Sequence, residues 1–281
     1  GHGAGRGLRF ATVRGGRGGG NEARPGRLRG GRAVLAVAVG GLPVLFGFVL
    51  PVLFRLRPLI GGWDELPWTL FVQWSRNSMS LAGLSAVLAT ALALALAFAL
   101  RARPSWATRA AVQLTGLGYA VPGAVIVVGL LLPVGWIQSV WPDAGVGYLI
   151  TATALGIVWA YLVRFTAVAL HSVQAGYARM PASLDDSARM LGSTGFALAW
   201  RVHAPLLKRA TIAGALLVFV DVMKELPATL VLRPFNSDTL AVMTYQLARD
   251  ERLGEAALPA LTLVLVGLLP VILLSRTLSR R

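Results

Sequence analysis

The sequence contains no cysteine and few charged residues, and each shortage restricts what the chain can be. Without cysteine, disulfides and thiolate metal sites are excluded. Charged residues make up only 14% of the 281 residues, whereas 56% are hydrophobic and the mean hydropathy is +0.66. Soluble domains typically carry about 25% charged residues. The composition therefore predicts an integral membrane protein with several spans.

Residues suited to catalysis or metal binding are also scarce. The three histidines, His2, His171 and His203, lie far apart in the chain, and each is predicted to be solvated or lightly packed rather than a metal ligand. No P-loop pattern GxxxxGK(S/T) occurs, so no ATP site is expected in this chain. Because no nucleophile–base pair or set of metal ligands is visible, we expect neither an enzyme nor a resident cofactor.

The basic residues are concentrated beside apolar runs. A net charge of +15 is compatible with nucleic-acid binding, but the arginines are not interleaved with aromatics, which favours a membrane protein with no nucleic-acid partner. Residues 1–32 are rich in Gly and Arg and lack apolar periodicity, which predicts a disordered linker or N-terminal extension. The first residue is Gly rather than Met, which suggests a fragment or an internal start.

Six apolar segments predict six transmembrane helices and an all-α fold. They cover about residues 33–54, 77–100, 111–134, 148–169, 211–232 and 256–274. The second has alanine at every fourth position from Ala89 to Ala97, which lets another helix approach closely. If the N-terminus is inside, most Lys and Arg residues, including Arg164, fall in the cytoplasm. Both termini and the loop after the fourth span are therefore predicted to be cytoplasmic.

The third predicted span is interrupted by residues that disfavour a straight helix. It contains Gly118, Tyr119, Pro122 and Gly123. We expect this helix to be kinked or partly unwound. Broken backbone at membrane depth is tolerated where it lines a cavity or is buried in protein. The interruption is predicted either to line a pathway or to be a packing kink.

The fifth predicted span contains three ionisable residues in an apolar run. Asp221, Lys224 and Glu225 have helical spacing and are predicted to share one face. Pro227 removes a backbone donor and weakens the helix beside them. Each charge is costly in the membrane unless it is paired or hydrated. This face is predicted either to line the translocation pathway or its gate, or to fix the helix through a buried ion pair, with one carboxylate left over.

The longest polar interval between apolar segments, residues 181–210, predicts two short helices joined at Gly192. Ser183 and Asp186 have the spacing of a capping box, and Asp185 and Asp186 are expected in the first turn, where the helix dipole favours negative charge. Gly192 can adopt the left-handed conformation that ends a helix.

The second of these helices is predicted to begin after a cap at Ser193 or Thr194 and to stop at Pro205. Apolar and aromatic residues recur along it at helical spacing: Phe196, Ala199, Trp200 and His203. A helical hairpin with an apolar stripe and a basic end is expected to dock on a partner.

This hairpin resembles the EAA loop of the membrane subunits of binding-protein-dependent ABC importers. The family pattern is Glu-Ala-Ala, three residues, Gly, nine residues, and Ile-x-Leu-Pro. The corresponding residues in this chain are Asp186, Ser187, Ala188, Gly192, Val202, Ala204 and Pro205. Asp stands for Glu, Ser for Ala, Val for Ile and Ala for Leu, all conservative changes. The resemblance implies a cytoplasmic, ATPase-coupling loop over about residues 172–209.

Further motifs are similar to those of ferric-iron ABC importer permeases. They are LPVLFGFVLPV near the first span, GYAVPG at 118–123, YLVRFTAVA at 161–169 and KELPATLVLRPFNSDTLAV at 224–242. Those permeases usually have two homologous halves, and this chain is similar to the second half. The resemblance implies a type I importer permease domain over 33–281 that forms half of a translocation pathway in a bacterial inner membrane.

The same resemblance implies the partners. A periplasmic binding protein would deliver the substrate, iron(III) by preference, and ABC ATPase subunits would use the ATP. A second permease half or a second copy of the chain would complete the pathway. Related permeases import thiamine, polyamines or phosphonates, so these substrates stay open. The alternative from another class is a stand-alone ion-coupled carrier with Asp221, Lys224 and Glu225 as its relay.

Overall fold

The structure is a computed structural model that describes residues 29–278, apart from the side chains of residues 65 and 273–278. Throughout this part the elements are helical. The helices are α1 (Gly31–Val44), α2 (Leu50–Gly61), α3 (Trp68–Ala102), α4 (Trp106–Leu117), α5 (Gly123–Val140), α6 (Val146–Thr151), α7 (Ala154–Tyr177), α8 (Ala182–Met190), α9 (Gly195–Leu198), α10 (Ala204–Met223), α11 (Pro227–Leu232), α12 (Leu240–Arg249) and α13 (Leu253–Leu278).

Five helical segments in the described range are long and apolar enough to cross a membrane. They are Gly31–Gly61, Trp68–Ala102, Gly123–Val140, Ala154–Tyr177 and Leu253–Ile272. Helix α10 has sufficient length, but it contains Lys208, Arg209 and Asp221. The all-α membrane fold is therefore confirmed, whereas the predicted fifth span is not one uninterrupted apolar helix.

The chain divides into two units, residues 1–51 and 52–281. In the first, α1 is followed by a π-helical turn, Leu45–Val49. The predicted linker at 1–32 lies outside the described residues except at its end. The second unit contains most of α2 and the helices from α3 to α13, and its core is built mainly by α3, α7 and α10.

Small residues allow these three core helices to approach closely. Ala89, Ala93 and Ala97 of α3 are almost completely buried, as the four-residue spacing predicts. On α10, a Cβ added to Gly214 would lie 3.2 Å from the Cα atom of Ala169 in α7. The close contact of α7 and α10 matters because their loops and ends carry the candidate sites.

Two of the predicted spans are broken next to a proline. The third divides into α4, a 3-10 turn at Gly118–Ala120, and α5, which begins directly after Pro122. A Cβ on Gly118 would overlap the carbonyl group of Val163, so α7 closely covers this break. The fifth predicted span ends at Met223 and resumes as α11 at Pro227. Because proline donates no backbone hydrogen bond, both interruptions have a local cause.

The fourth span differs from the prediction at both ends. The segment predicted at 148–169 divides into α6 and a longer α7, which is capped at its N-terminus by the Thr153 hydroxyl. Arg164 therefore lies inside α7, about 15 Å from its start and about 20 Å from its end at 1.5 Å per residue. The predicted cytoplasmic position of Arg164 is therefore wrong. Its charge is accommodated by an ion pair with Glu225.

Candidate functional site

The first loop helix, α8, begins one position after Pro181, whose backbone serves as the N-cap without a side-chain hydrogen bond. The predicted capping box of Ser183 and Asp186 is wrong because Ser183 already lies inside the helix. Its carbonyl accepts a hydrogen bond from the hydroxyl of Ser187. Asp185 lies in the first turn as predicted. Asp186, also predicted in the first turn, lies beyond it; its exposed carboxylate is 3.4 Å from Arg189 Nη1.

Gly192 ends α8 in the predicted left-handed conformation, with φ of +84°. Its N–H donates to the carbonyl of Arg189, and the N–H of Ser193 donates to the carbonyl of Ala188, both at 2.9 Å. This pair of bonds is the Schellman motif, in which the left-handed residue satisfies the last carbonyls of the helix. The turn joins α8 to the second loop helix.

The second loop helix does not stop at Pro205, contrary to the prediction. Thr194 is its N-cap by position, although its hydroxyl makes no capping bond. After α9 the chain passes through a π-helical turn, Ala199–His203, and continues as α10. Pro205 is exposed at the first turn of α10, directly after the π-helical turn, and it donates no backbone hydrogen bond to that turn because it has no N–H. Val202 is half-buried within the π-helical turn.

Four large apolar side chains project from this loop into solvent. Met190 and Leu191 lie at the end of α8, and Phe196 and Trp200 lie on the second loop helix. Their exposed fractions are between 68% and 88%. The rings of Phe196 and Trp200 stack with centroids 6.2 Å apart. We call these four residues the coupling surface; an exposed group of this kind typically marks an interaction site.

Beneath the coupling surface, four buried or partly buried polar side chains form a continuous set of hydrogen bonds, here called the loop network. Arg101 donates from Nε to Asp185 Oδ2 at 2.8 Å and from Nη2 to Oδ1 at 3.3 Å. His203 Nε2 lies 3.0 Å from Asp185 Oδ1, and the Tyr177 hydroxyl lies 3.0 Å from His203 Nδ1. A neutral His203 with its proton on Nε2 would donate to Asp185 and accept from Tyr177.

The loop network changes the ionisation of Asp185. Burial alone would raise the pKa of this carboxyl, but the hydrogen bonds from Arg101 and His203, together with the positive charge of Arg101, outweigh burial and lower the pKa. His203 is only 2% exposed, so the prediction of a solvated or lightly packed histidine is wrong. The sequence offered one signal for this network: an arginine after the second span and an aspartate in the loop, both predicted on the cytoplasmic side.

A second polar site lies within the candidate membrane span α7, where the two broken helices meet it. Arg164 donates from Nη1 to Glu225 Oε1 at 2.9 Å, and the backbone N–H of Ala228 donates to the same oxygen. The Glu225 side chain is 3% exposed and that of Arg164 is 25% exposed. A Cβ added to Gly123 would overlap both Glu225 and Arg164. We call Arg164 and Glu225 the membrane ion pair.

A buried hydroxyl chain holds the backbone of Glu225. Thr229 donates to the Glu225 carbonyl at 2.6 Å, and the Tyr161 hydroxyl lies 2.6 Å from the Thr229 oxygen. Because Thr229 has one proton to donate, Tyr161 is the donor in the second bond. Tyr161 and Arg164 are three residues apart in α7, so one face of this helix holds both the backbone and the side chain of Glu225.

The ionisable residues of the predicted fifth span are therefore divided between two environments. Lys224 lies 3.1 Å from Asp221, and its side chain is 58% exposed. Glu225 is turned away from both and pairs with Arg164, because α10 ends at Met223. The predictions of a single shared face and of a carboxylate without a partner are wrong. Tyr119 is half exposed and Pro122 and Pro227 are exposed, each beside a helix break.

Comparison with known proteins identifies the family. Residues 88–281 match the family model described as binding-protein-dependent transport system inner membrane component. The chain belongs to this family. Two ferric-transport permeases are among its relatives. The Fe(3+)-transport system permease protein FbpB 2 of Haemophilus influenzae is 28% identical over 207 residues, 73% of this chain and 39% of that protein.

The ferric transport system permease protein FbpB of Actinobacillus pleuropneumoniae is 27% identical over 175 residues, 62% of this chain and 24% of that protein. The chain thus spans well under half the length of these relatives. A bacterial alginate ABC transporter, solved with an alginate pentasaccharide-bound periplasmic protein, matches with a TM-score of 0.64 at 15% identity over 86% of this chain and 90% of that one. At this identity the likeness shows the fold.

Proposed function

We propose that the chain is the translocation subunit of an ATP-driven importer in a bacterial inner membrane, and that its cargo is iron(III). The family membership supports the importer, and the names of the two ferric-transport relatives support the cargo. No ATP or cofactor is bound by the chain itself; a separate ATPase hydrolyses the nucleotide. A periplasmic binding protein supplies the cargo, and a second permease half or a second copy completes the pathway.

The coupling surface carries this proposal. Its four apolar side chains are exposed on a loop that also bears charged residues, including exposed Asp186 and Arg189, which fits a protein partner better than a lipid contact. Met190 and Leu191 flank the Gly192 turn, and Phe196 with Trp200 provides a stacked aromatic face. Aromatic side chains are frequent anchors of protein interfaces. An ATPase cleft that takes up this surface would move the loop when it closes.

The contacts at two points along α3 support a proposal for the side on which this surface lies. Asn77 and Ser78 near one end of α3 hydrogen-bond the Asp238 and Leu240 backbone, whereas Arg101 at the other end binds the loop. The loop and the 233–239 segment are therefore about 36 Å apart along α3, a separation that supports placing them on opposite sides of a bilayer core. We propose that the loop side, with its arginines, faces the cytoplasm and that Asp238 faces the periplasm.

The membrane ion pair is proposed to be a gate of the pathway. Two broken helices, α4–α5 and α10–α11, meet at it, and broken backbone at membrane depth lines cavities or is buried in protein. Separating Arg164 from Glu225 would expose one positive and one negative group to a passing ion. Rigid-body motion of α7 relative to α10 would produce that separation.

Reconstitution tests the proposed function. The chain, its cognate ATPase and binding protein, and any second permease half are placed in proteoliposomes, and iron(III) uptake is followed with ATP inside. We expect uptake that requires ATP and all subunits, and a Phe196→Ala/Trp200→Ala variant that no longer retains the ATPase. Uptake by the chain alone, driven by an ion gradient, would establish the carrier alternative. ATP-driven uptake of thiamine, a polyamine or a phosphonate in place of iron would reassign the cargo.

A further inference from the structure

Helix α8 has few attachments to the rest of the chain. Its two buried residues are Asp185 and Ala188. Ala188 has no side-chain polar group, so Asp185 is the α8 side chain that makes directional contacts with the membrane helices. Helix α8, which carries half of the coupling surface, is therefore attached to the permease at its start by the backbone before Ala182 and near its centre by Asp185.

Arg101 fixes the backbone before α8 as well as Asp185. Its guanidinium donates to the carbonyls of Met180 and Pro181 at 3.1–3.3 Å, in addition to its two bonds with Asp185. It also lies over the ring of Tyr177, 5.3 Å from the centroid. One side chain at the end of α3 thus holds the end of α7, the linker and α8 together.

His203 joins the second loop helix to the same point. It lies in the π-helical turn between α9 and α10 and makes edge contacts with the rings of Phe98 and Tyr177. Through Asp185 it connects α10 to α8, and through Tyr177 it connects α10 to α7. Hydrogen bonds to a charged carboxylate are about twice as strong as neutral ones, and a buried carboxylate that loses its partners is strongly disfavoured.

We propose that Asp185, with Arg101, is the positioning element that makes the loop and the cytoplasmic ends of α3, α7 and α10 move as one rigid body. This inference rests on the proposed function, because it concerns how ATPase motion reaches the membrane helices. The coupling surface would receive the motion, and the loop network would transmit it without a hinge.

The absence of cysteine from this chain permits a direct test of rigidity. Spin labels are attached at Arg103→Cys, at the exposed C-terminal end of α3, and Ser183→Cys, exposed on α8. In the assembled transporter we expect one narrow distance distribution that is the same in the nucleotide-free and ATP-trapped states. A distance that changes between these states in the otherwise native chain would overturn the proposal, since the loop would then be hinged.

The second measurement is the ATP hydrolysed per ion transported. Asp185→Asn keeps the shape and removes the charge, and we expect it to raise this ratio on the order of tenfold and to broaden the spin-label distribution. Asp238→Asn is the matched control, because it breaks an arginine–aspartate pair with the same 2.8 Å distance from Nε to a carboxylate oxygen, towards the other end of α3; its ratio should be unchanged.

The outcomes separate this inference from the proposed function. If the native chain binds no ATPase, the proposed function fails. If the ATPase binds and Asp185→Asn lowers only thermal stability, with a normal hydrolysis ratio and a narrow distance distribution, Asp185 is structural and the inference fails. Arg101→Gln provides an independent variant at the other side of the same ion pair, and it should reproduce the raised ratio.

Discussion

Arg164 of α7 and Glu225, which follows α10, form a 2.9 Å ion pair between residues 61 positions apart in the chain. The pair lies beside Gly123, at the start of α5, so two helix breaks and one uninterrupted helix converge on two charges. The Arg164 guanidinium and the Glu225 carboxylate are tolerated in a membrane span because each charge has a partner of opposite sign. A change that affects one residue of the pair therefore also affects the other.

Removing one member of the membrane ion pair should destabilise the chain more than removing both. Arg164→Met leaves Glu225 buried without its partner, and the expected loss is about 3–5 kcal/mol of unfolding free energy. Arg164→Met with Glu225→Gln should recover most of this loss. Thermal unfolding in detergent measures both. If the pair is a gate, the stable double variant should still transport poorly; normal uptake by it would limit the pair to a structural role.

Gly123→Ala should separate the membrane ion pair without removing a charge. The added Cβ would overlap Glu225 Oε1 and Arg164 Nη1, so at least one side chain has to move. We expect lower stability and altered uptake. Gly135→Ala in the same helix is the control, because a Cβ there has no neighbour within 4 Å and alanine is the better helix former by about 1 kcal/mol. Equal behaviour of the two variants would contradict the close contact at Gly123.

Lys224 should be accessible to water if its pair with Asp221 faces the pathway. Its side chain is 58% exposed although it lies between apolar segments, and a lipid-exposed ammonium group would be costly. Lys224→Cys introduces a unique thiol into a cysteine-free chain. We expect a membrane-impermeant maleimide to label it in the assembled transporter. No labelling of a correctly folded, active variant would indicate that a partner subunit or lipid covers this position.

Gly192→Ala should disturb the coupling surface. The position has φ of +84°, which costs a residue with a Cβ about 1–2 kcal/mol. The strain lies between Leu191 and the second loop helix, so the two halves of the surface should lose their relative orientation. We expect reduced retention of the ATPase in pull-down with normal membrane insertion. The control is Gly267→Ala in α13, where φ is ordinary and an added Cβ has no neighbour within 4 Å. This variant should retain the ATPase.

Local chemistry made part of this architecture predictable from the sequence. The left-handed turn at Gly192 was predictable because it requires only a helix end, a polar turn and a residue without a Cβ. The breaks near Pro122 and Pro227 were predictable because proline has no backbone N–H to donate. Arg164 could not be placed in the same way, since a lone arginine near an apolar run also marks the cytoplasmic end of a span. Its partner comes from a distant segment, as does that of His203, and such pairings depend on how α3, α7 and α10 meet.

The start of α8 is another feature that local sequence signals did not predict correctly. Ser183 and Asp186 have the spacing of a capping box, but Pro181 fixes the helix start two positions earlier. Proline has a backbone conformation suited to the residues around a helix start. Arg101, from a distant helix, also binds the Met180 and Pro181 carbonyls just before this start, a contact that local sequence signals do not reveal.

The stability of the loop should depend on pH through Asp185. Burial alone would raise the pKa of this carboxyl, but Arg101 and His203 lower it below the ordinary value of about 3.9. A group whose folded pKa is lowered stabilises the native state at pH values above its unfolded pKa, and this contribution disappears as the pH falls through the folded pKa.

Thermal unfolding followed from about pH 6 down to about pH 3 should therefore show the native chain losing stability in acid. The Asp185→Asn variant should be less stable near neutral pH, and its deficit should shrink as the native carboxylate becomes protonated. Asp238→Asn should not reduce the acid sensitivity contributed by Asp185. A constant difference between the native chain and Asp185→Asn at every pH would mean that the carboxylate charge is not what holds α8 to α3.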